Sequence, residues 1–310
     1  MQRAWLWLVP LLGLAEWAAH AGFAGRAPDL AEWQAVAPQV QSWRAADELI
    51  VVSPAWAEPN ARLALGDALM PVAHVARPEL QRYATVLEVS LLGQTAPALE
   101  QGYQLVEERS VGRFELRRWQ STSPVQVHFD FVQAVGPEGL SVLQGEQGQA
   151  CRWSTRAPVS NGALFGHPTF PHERFRCAGG DWAFVGVTVI DDEQYRPRRC
   201  VWAHPSGGGL RLKYAEVPLG TQLRGYGGLP YFTSRDGKGT PVRLEAFVDG
   251  DPIGSYEHRD GEGWTRFEFD TRPWQGQRHA VEFRISSQKL ARREFCFYAD
   301  TRSPASGDGA

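Results

Sequence analysis

Lysine is nearly missing from this 310-residue chain and stands only at Lys213, Lys238 and Lys289. Asparagine occurs only at Asn60 and Asn161, and there are 2 methionines. Arginine therefore carries almost all the positive charge, a usage typical of a GC-rich bacterial genome. An excess of one sign is also lacking. The 32 basic and 35 acidic residues leave a formal net charge of -3, which gives no electrostatic footing for nucleic acid. Catalytic signatures are absent: no G-x-S-x-G elbow, no H-E-x-x-H, no G-x-x-x-x-G-K and no EF-hand loop. Those absences remove the motif-bearing hydrolases, zincins, P-loop enzymes and EF-hand Ca²⁺ sensors. There are 4 cysteines, none in C-x-x-C and none with a histidine at zinc spacing, so neither a zinc knuckle nor a redox dithiol is expected. No internal repeat is visible.

What is present is 12 Trp, 32 Gly and 21 Pro in a chain that is 43% hydrophobic and 22% charged. Those two percentages are ordinary globular usage. Tryptophan with abundant turn-formers leans towards β structure. The length divided by about 150 gives a prior of two domains.

An uncharged run, AWLWLVPLLGLA from Ala4 to Ala15, follows Arg3 and ends at Glu16. It is too short for the roughly 20 residues that a bilayer-spanning helix needs. It does match the apolar core of a secretory signal, and Ala19-His20-Ala21 offers small residues for cleavage. Residues 1–27 are therefore read as a signal peptide or, if retained, a membrane anchor. Export makes disulfides the default state of the four cysteines. Of the three pairings, Cys151–Cys177 and Cys200–Cys296 are expected, with four buried thiols as the alternative. The second pair would join strands near the two ends of one sandwich, where chain ends often become neighbours.

Residues 28–120 alternate helix and strand. Asp29 with Glu32 resembles a capping box, and Leu30, Trp33, Ala37, Val40 and Trp43 follow at helical spacing, with a bend expected at Pro38. LIVVS (49–53) reads as a buried strand, Ala61–Ala68 as a helix, and ATVLEVSLL (84–92) as another strand. This pattern predicts a small α/β layer domain with a partly parallel sheet. After residue 121 the period becomes 2. Val125, Val127, Phe129 and Phe131 alternate with polar residues, as do later runs up to Phe295 and Phe297. Asp249-Gly250-Asp251-Pro252 is a hairpin signal. The prediction is an α+β two-domain chain: the α/β domain, then an antiparallel β-sandwich of jelly-roll type over 121–302, with its core in 200–302. A frayed tail is expected at 303–310.

Two groups could form a site. Tyr226, Tyr231, Arg235, His258, Asp260 and Trp274 flank Gly-rich loops of the sandwich, and an aromatic ring beside polar groups suits a sugar. The opposing reading is that such aromatics are core. In the first domain Trp56, Glu58, Arg62 and Asp67 follow the first strand, where open α/β sheets place ligands. There Glu58 could act as a general acid or base, though ion pairing of these residues is the favoured reading. His167, His172 and Glu173 are read as loop residues rather than metal ligands. No cofactor is expected. A structural Ca²⁺ at Asp191-Asp192-Glu193 or at Asp249 and Asp251 competes with solvated turns.

The segments CVWAHPSGGGLRLKYAEVPLG, VRLEAFVDG, GWTRFEFDT, HAVEFRI and FCFYADTR, within 200–302, resemble galactose-binding-like jelly-roll modules. That resemblance implies a secreted or cell-surface bacterial protein binding carbohydrate through loops at one end of the sandwich. ADELIVVSPAW, RYATVLEVSL and VGRFELRRW, within 29–119, are similar to the soluble α/β domain of GT-C-type membrane glycosyltransferases. The catalytic membrane helices and loop acids of that family have no counterpart here, so this second resemblance implies an accessory soluble part. The expected function is extracytoplasmic binding in the bacterial envelope, with a glycan or another envelope component as partner. The alternatives are an accessory part partnering a membrane glycosyltransferase, or a sugar-processing hydrolase.

Overall fold

The computed structural model describes residues 5–24, 27–46, 48–159, 169–205, 208–235 and 237–305. It divides into two compact units: one of Met1–Pro71 with Thr85–Gln120, the other of Val72–Ala84 with Ser121–Ala310. Residues 72–84, expected within the 28–120 domain, thus group with the second unit.

In the first unit, Asp29 and Glu32 form the capping box of the helix Leu30–Trp43, satisfying backbone N–H groups at the helix start. Trp33, Val36 and Val40 are its buried residues. The strands Leu49–Ser53, Thr85–Leu91, Phe114–Ser121 and Tyr103–Val111 lie side by side in that order. The first two are parallel. Two acids are buried in this unit, and both are held. Glu88 accepts from Ser53 Oγ at 2.6 Å, Ala96 N at 2.7 Å and Trp119 Nε1 at 3.0 Å. Glu48 accepts from Arg118 Nε at 2.8 Å. Buried charge without such donors costs several kcal/mol, on the order of an ion's desolvation. The helix Trp5–Ala24 leaves Trp7, Val9, Leu12 and Trp17 exposed, and no described helix is long and apolar enough to cross a membrane.

The second unit is an antiparallel β-sandwich. Among the described residues, one sheet runs Thr265–Asp270, Gln222–Gly228, Cys296–Pro304, Pro197–Ala203, Phe184–Asp191, Arg174–Arg176, Arg152–Ser154. Val125–Asp130 pairs with the later part of Cys296–Pro304. The other sheet runs Asp251–His258, Val242–Val248, Arg278–Ser287, Leu210–Pro218, Leu140–Gln144, Gln149–Ala150. The alternating apolar residues meet between the two sheets: Phe283 of one lies 5.2 Å from Phe297 of the other and 4.9 Å from Phe131. The hairpin at Asp249-Gly250 forms with both residues at positive φ, 50° and 95°, as a two-residue turn of matching twist requires. Both cysteine pairs are disulfides, Cys151–Cys177 and Cys200–Cys296, closing separations of 26 and 96 residues. The tail begins later than expected, because Ser303 and Pro304 still belong to the last strand, paired with Gln126 and Val125.

The last strand also carries charge into the interior. Arg302 and Asp300 are both fully buried. Arg302 donates from Nε and Nη2 to Asp300 at 2.6 and 2.5 Å and from Nη1 to Glu79 at 2.5 Å. Arg302→Met would remove the cation bonded twice to the buried Asp300 and leave Glu79 facing Arg224 at 3.7 Å. The expected loss is about 3–5 kcal/mol of unfolding free energy, read from denaturant midpoints. A loss below about 1 kcal/mol would show that the network does not hold the sandwich.

Candidate functional site

Three loops meet at one end of the sandwich. One is the turn between Phe184–Asp191 and Pro197–Ala203, the second is the short helix Tyr231–Ser234 with the residues after it, and the third is the turn between Asp251–His258 and Thr265–Asp270. Glu193, Tyr195, Ser234, Arg235, Gly237, Asp260 and Gly261 from these loops line an open cleft of about 510 Å³. That is within the usual range for small-molecule sites, roughly 300–1,000 Å³.

Tyr195 sits at a turn tip with φ of 57° and is 62% exposed. The turn is tied by Asp192, whose Oδ1 accepts from Gln194 N at 2.9 Å and Arg196 N at 3.0 Å. Its Oδ2 accepts from Arg198 Nε at 2.9 Å. The Tyr195 ring lies 4.7 Å from that of Tyr231. The Arg235 guanidinium lies 5.4 Å from the Tyr231 ring, and its Nη1 reaches the Tyr195 hydroxyl at 3.3 Å. The cleft thus offers two tyrosine rings and a cation, the mixture of apolar face and polar tip that suits amphipathic ligands.

The acidic side is held by the protein itself. The Ser234 hydroxyl donates to Glu193 Oε1 and accepts from Gly261 N at 3.1 Å. Asp260 accepts from Gly239 N at 2.9 Å and from Arg293 Nη1 at 2.6 Å. Arg293 is fully buried. A Cβ on Gly239 would fall 1.7 Å from Arg293 Nη2, so only glycine lets the loop pass over this guanidinium. Among the described residues, Arg293 Nε and Nη2 have no hydrogen-bond partner.

Of the six residues singled out in the sandwich, Arg235 and Asp260 line the cleft, and the Tyr231 ring packs at 46° to the ring of Tyr195, which also lines it. The other three lie elsewhere. Tyr226 donates its hydroxyl to Glu79 Oε2 at 2.5 Å, with its ring 6.4 Å from Trp264. His258 is fully buried, its Nδ1 3.0 Å from the Tyr256 hydroxyl. Trp274 packs against the inter-sheet core. Glu193 was noted only as a Ca²⁺ or turn residue, and Tyr195 and Ser234 were not singled out. The available signal for Tyr195 was an aromatic among polar residues, DDEQYRPRR, in a tight link between two alternating strands.

The first-unit group is laid out along one helix. Trp56 is 56% exposed in the turn Ala55–Ala57, and Glu58 opens the helix Glu58–Leu69, where an acid favours the dipole. Arg62 pairs with Asp67 at 2.9 Å. Of the loop histidines, His167 lies outside the described residues, and His172 Nδ1 is 2.9 Å from Ala157 O. Among the described residues no group of three His, Cys, Asp or Glu side chains is placed to hold a metal ion.

No protein-family model matches the chain, and no curated protein matches it either. Solved structures similar to it include the CBM51-2 and INT domains of Clostridium perfringens ZmpB in complex with GlcNAc. That likeness has 10% identity, covers 57% of this chain and 40% of that one, and has a TM-score of 0.30. Another is the CBM51 of a Clostridium perfringens GH95 protein in complex with methyl-galactose, with 8% identity, 64% and 94% coverage and a TM-score of 0.26. The K2 adhesin domain of Lys-gingipain shares 12% identity over 57% of this chain and 98% of that one, with a TM-score of 0.28. The chain thus spans less than half of the ZmpB structure. At such TM-scores these likenesses carry no argument about ligand.

Two histidines of the sandwich, the buried His258 and the half-buried His204, are expected to make its stability depend on pH. Burial lowers the pKa of His258, against the opposing pull of Glu262. Burial also lowers that of His204, whose Nδ1 lies 3.0 Å from Arg293 O. The unfolded chain then binds more protons than the folded one as pH falls past the ordinary histidine value of about 6.5. Their contribution is complete above that pH and is lost below it. Urea midpoints should fall between about pH 7.5 and pH 5.5, and less steeply in His204→Gln/His258→Gln. An unchanged slope in the double variant would reject this assignment.

Proposed function

We propose that the protein is an extracytoplasmic carbohydrate-binding protein of the bacterial envelope, and that it holds its glycan in the loop cleft at the end of the sandwich. The observation that carries this reading is the exposed Tyr195 ring beside Tyr231, with Arg235 reaching the Tyr195 hydroxyl. A pyranose has an apolar face that packs on such a ring and hydroxyls that seek polar neighbours. Glu193, held on one oxygen by Ser234, keeps its other oxygen as an acceptor in the same cleft. Two disulfides fit an oxidising compartment, and the apolar helix Trp5–Ala24 fits an export signal or anchor. The hydrolase alternative needs a concave pocket that holds Glu58 with a second carboxylate or a histidine, and Asp67, on the same helix, is engaged by Arg62.

The test is a glycan array followed by calorimetric titration of the hits. Tyr195→Ala should weaken binding about tenfold or more, the loss of one ring–sugar contact worth about 1.4 kcal/mol. Trp56→Ala, in the first unit, should leave it unchanged. Absence of any glycan hit, or undiminished binding by Tyr195→Ala, would reject the cleft as the site.

A further inference from the structure

Three exposed arginines of the second unit are each neutralised by an acid two residues away on the same strand or turn. Arg243 pairs with Glu245 at 2.9 Å, Arg259 with Glu257 at 2.7 Å and Arg272 with Asp270 at 2.6 Å. Such spacing puts both side chains on one face of a strand. Arg235 departs from this pattern. It is exposed at the cleft, and among the described residues no carboxylate pairs with it. Among the described residues its polar side-chain contact is the Tyr195 hydroxyl, reached through Nη1, with Nε and Nη2 outside that contact. The tyrosines hold the guanidinium in place, so part of its ordering cost is met before a ligand arrives. Arg196, beside Tyr195 in the chain, is likewise exposed and has no carboxylate partner among the described residues.

The other charged groups of the cleft are committed. Arg293 and Gly239 N occupy Asp260, and Ser234 donates to Glu193. The cleft therefore offers two kinds of polar group: a Glu193 oxygen outside its bond to Ser234, and the Arg235 guanidinium, which has no carboxylate partner among the described residues. Hydroxyls suit the first. A planar carboxylate, taken by two parallel N–H donors, suits the second.

We propose that the glycan is acidic, with the carboxylate of a uronic acid residue seated on Arg235. This rests on the reading that the cleft binds glycan. Titration should compare oligosaccharides containing glucuronate or galacturonate with their carboxyl-reduced glucose and galactose counterparts. The acidic forms should bind about tenfold or more tightly, with an advantage that shrinks as salt is raised. Arg235→Gln should abolish the preference, read as the ratio of acidic to neutral affinity within the variant itself. Arg235→Lys should recover only part of the preference, because lysine lacks the fork. Equal affinity for acidic and neutral forms, or a preference that survives Arg235→Gln, would overturn the acidic assignment while leaving the cleft as a glycan site. Binding of neither form would overturn both.

Discussion

Burying Arg302 is the constraint on which the rest of the sandwich depends. A guanidinium removed from water is tolerated only where acids and hydrogen bonds replace its hydration. Asp300 supplies two of those bonds from the same strand, and Glu79 supplies the third. Glu79 also accepts from the Tyr226 hydroxyl and lies 3.7 Å from Arg224. Arg82, three residues on, donates from Nη1 to Asp130 at 3.1 Å and to the Tyr298 hydroxyl at 2.6 Å. One short segment thus satisfies charges on three strands at once. That explains why residues 72–84 group with the second unit although the chain on either side of them groups with the first.

The same strand organises the frame that presents the cleft. Cys296–Pro304 pairs with Gln222–Gly228 on one side, and with Pro197–Ala203 and then Val125–Asp130 on the other. Its first residue is bonded to Cys200, so the strand beginning at Pro197 is held covalently to it. The turn that carries Glu193 and Tyr195 leads directly into that strand. The helix with Ser234 and Arg235 follows Gln222–Gly228 on the strand's other side. Loops on such a scaffold can be adapted to a ligand without disturbing the core, which is why recognition residues concentrate there.

Local signals in the sequence were readable where one residue's environment is set by its near neighbours. Alternation of Val125, Val127 and Phe129, the Asp29/Glu32 capping box and the Asp249-Gly250 turn each depend on a few positions, and each forms. The Cys200–Cys296 disulfide could be inferred because a sandwich often brings the ends of its chain onto neighbouring strands. Tyr226 and His258 show the limit. Period-2 alternation places them on a face of a strand, but what covers that face comes from elsewhere. Glu79, which takes the Tyr226 hydroxyl, is 147 residues away, and no local pattern announces that meeting. Tyr195 escaped notice for the opposite reason: a lone turn aromatic resembles an incidental one until Tyr231 is found beside it.

The chemistry left available in the cleft follows from what is already spent. Asp260 has both oxygens occupied, one by a fully buried arginine, so it serves as a strut for the loop. Ser234 is fixed on both sides, by Glu193 and by Gly261 N. Substituting Gly239 would push Arg293 from its place and release this strut. What is left for a ligand is the exposed Tyr195 ring, the second oxygen of Glu193 and the Arg235 guanidinium, which has no carboxylate partner among the described residues. A ring and a forked donor select by shape and charge, and tying back Asp260 keeps that selection from being weakened by a second free carboxylate. The cleft's specificity therefore depends on residues that need not touch the ligand, above all Arg293.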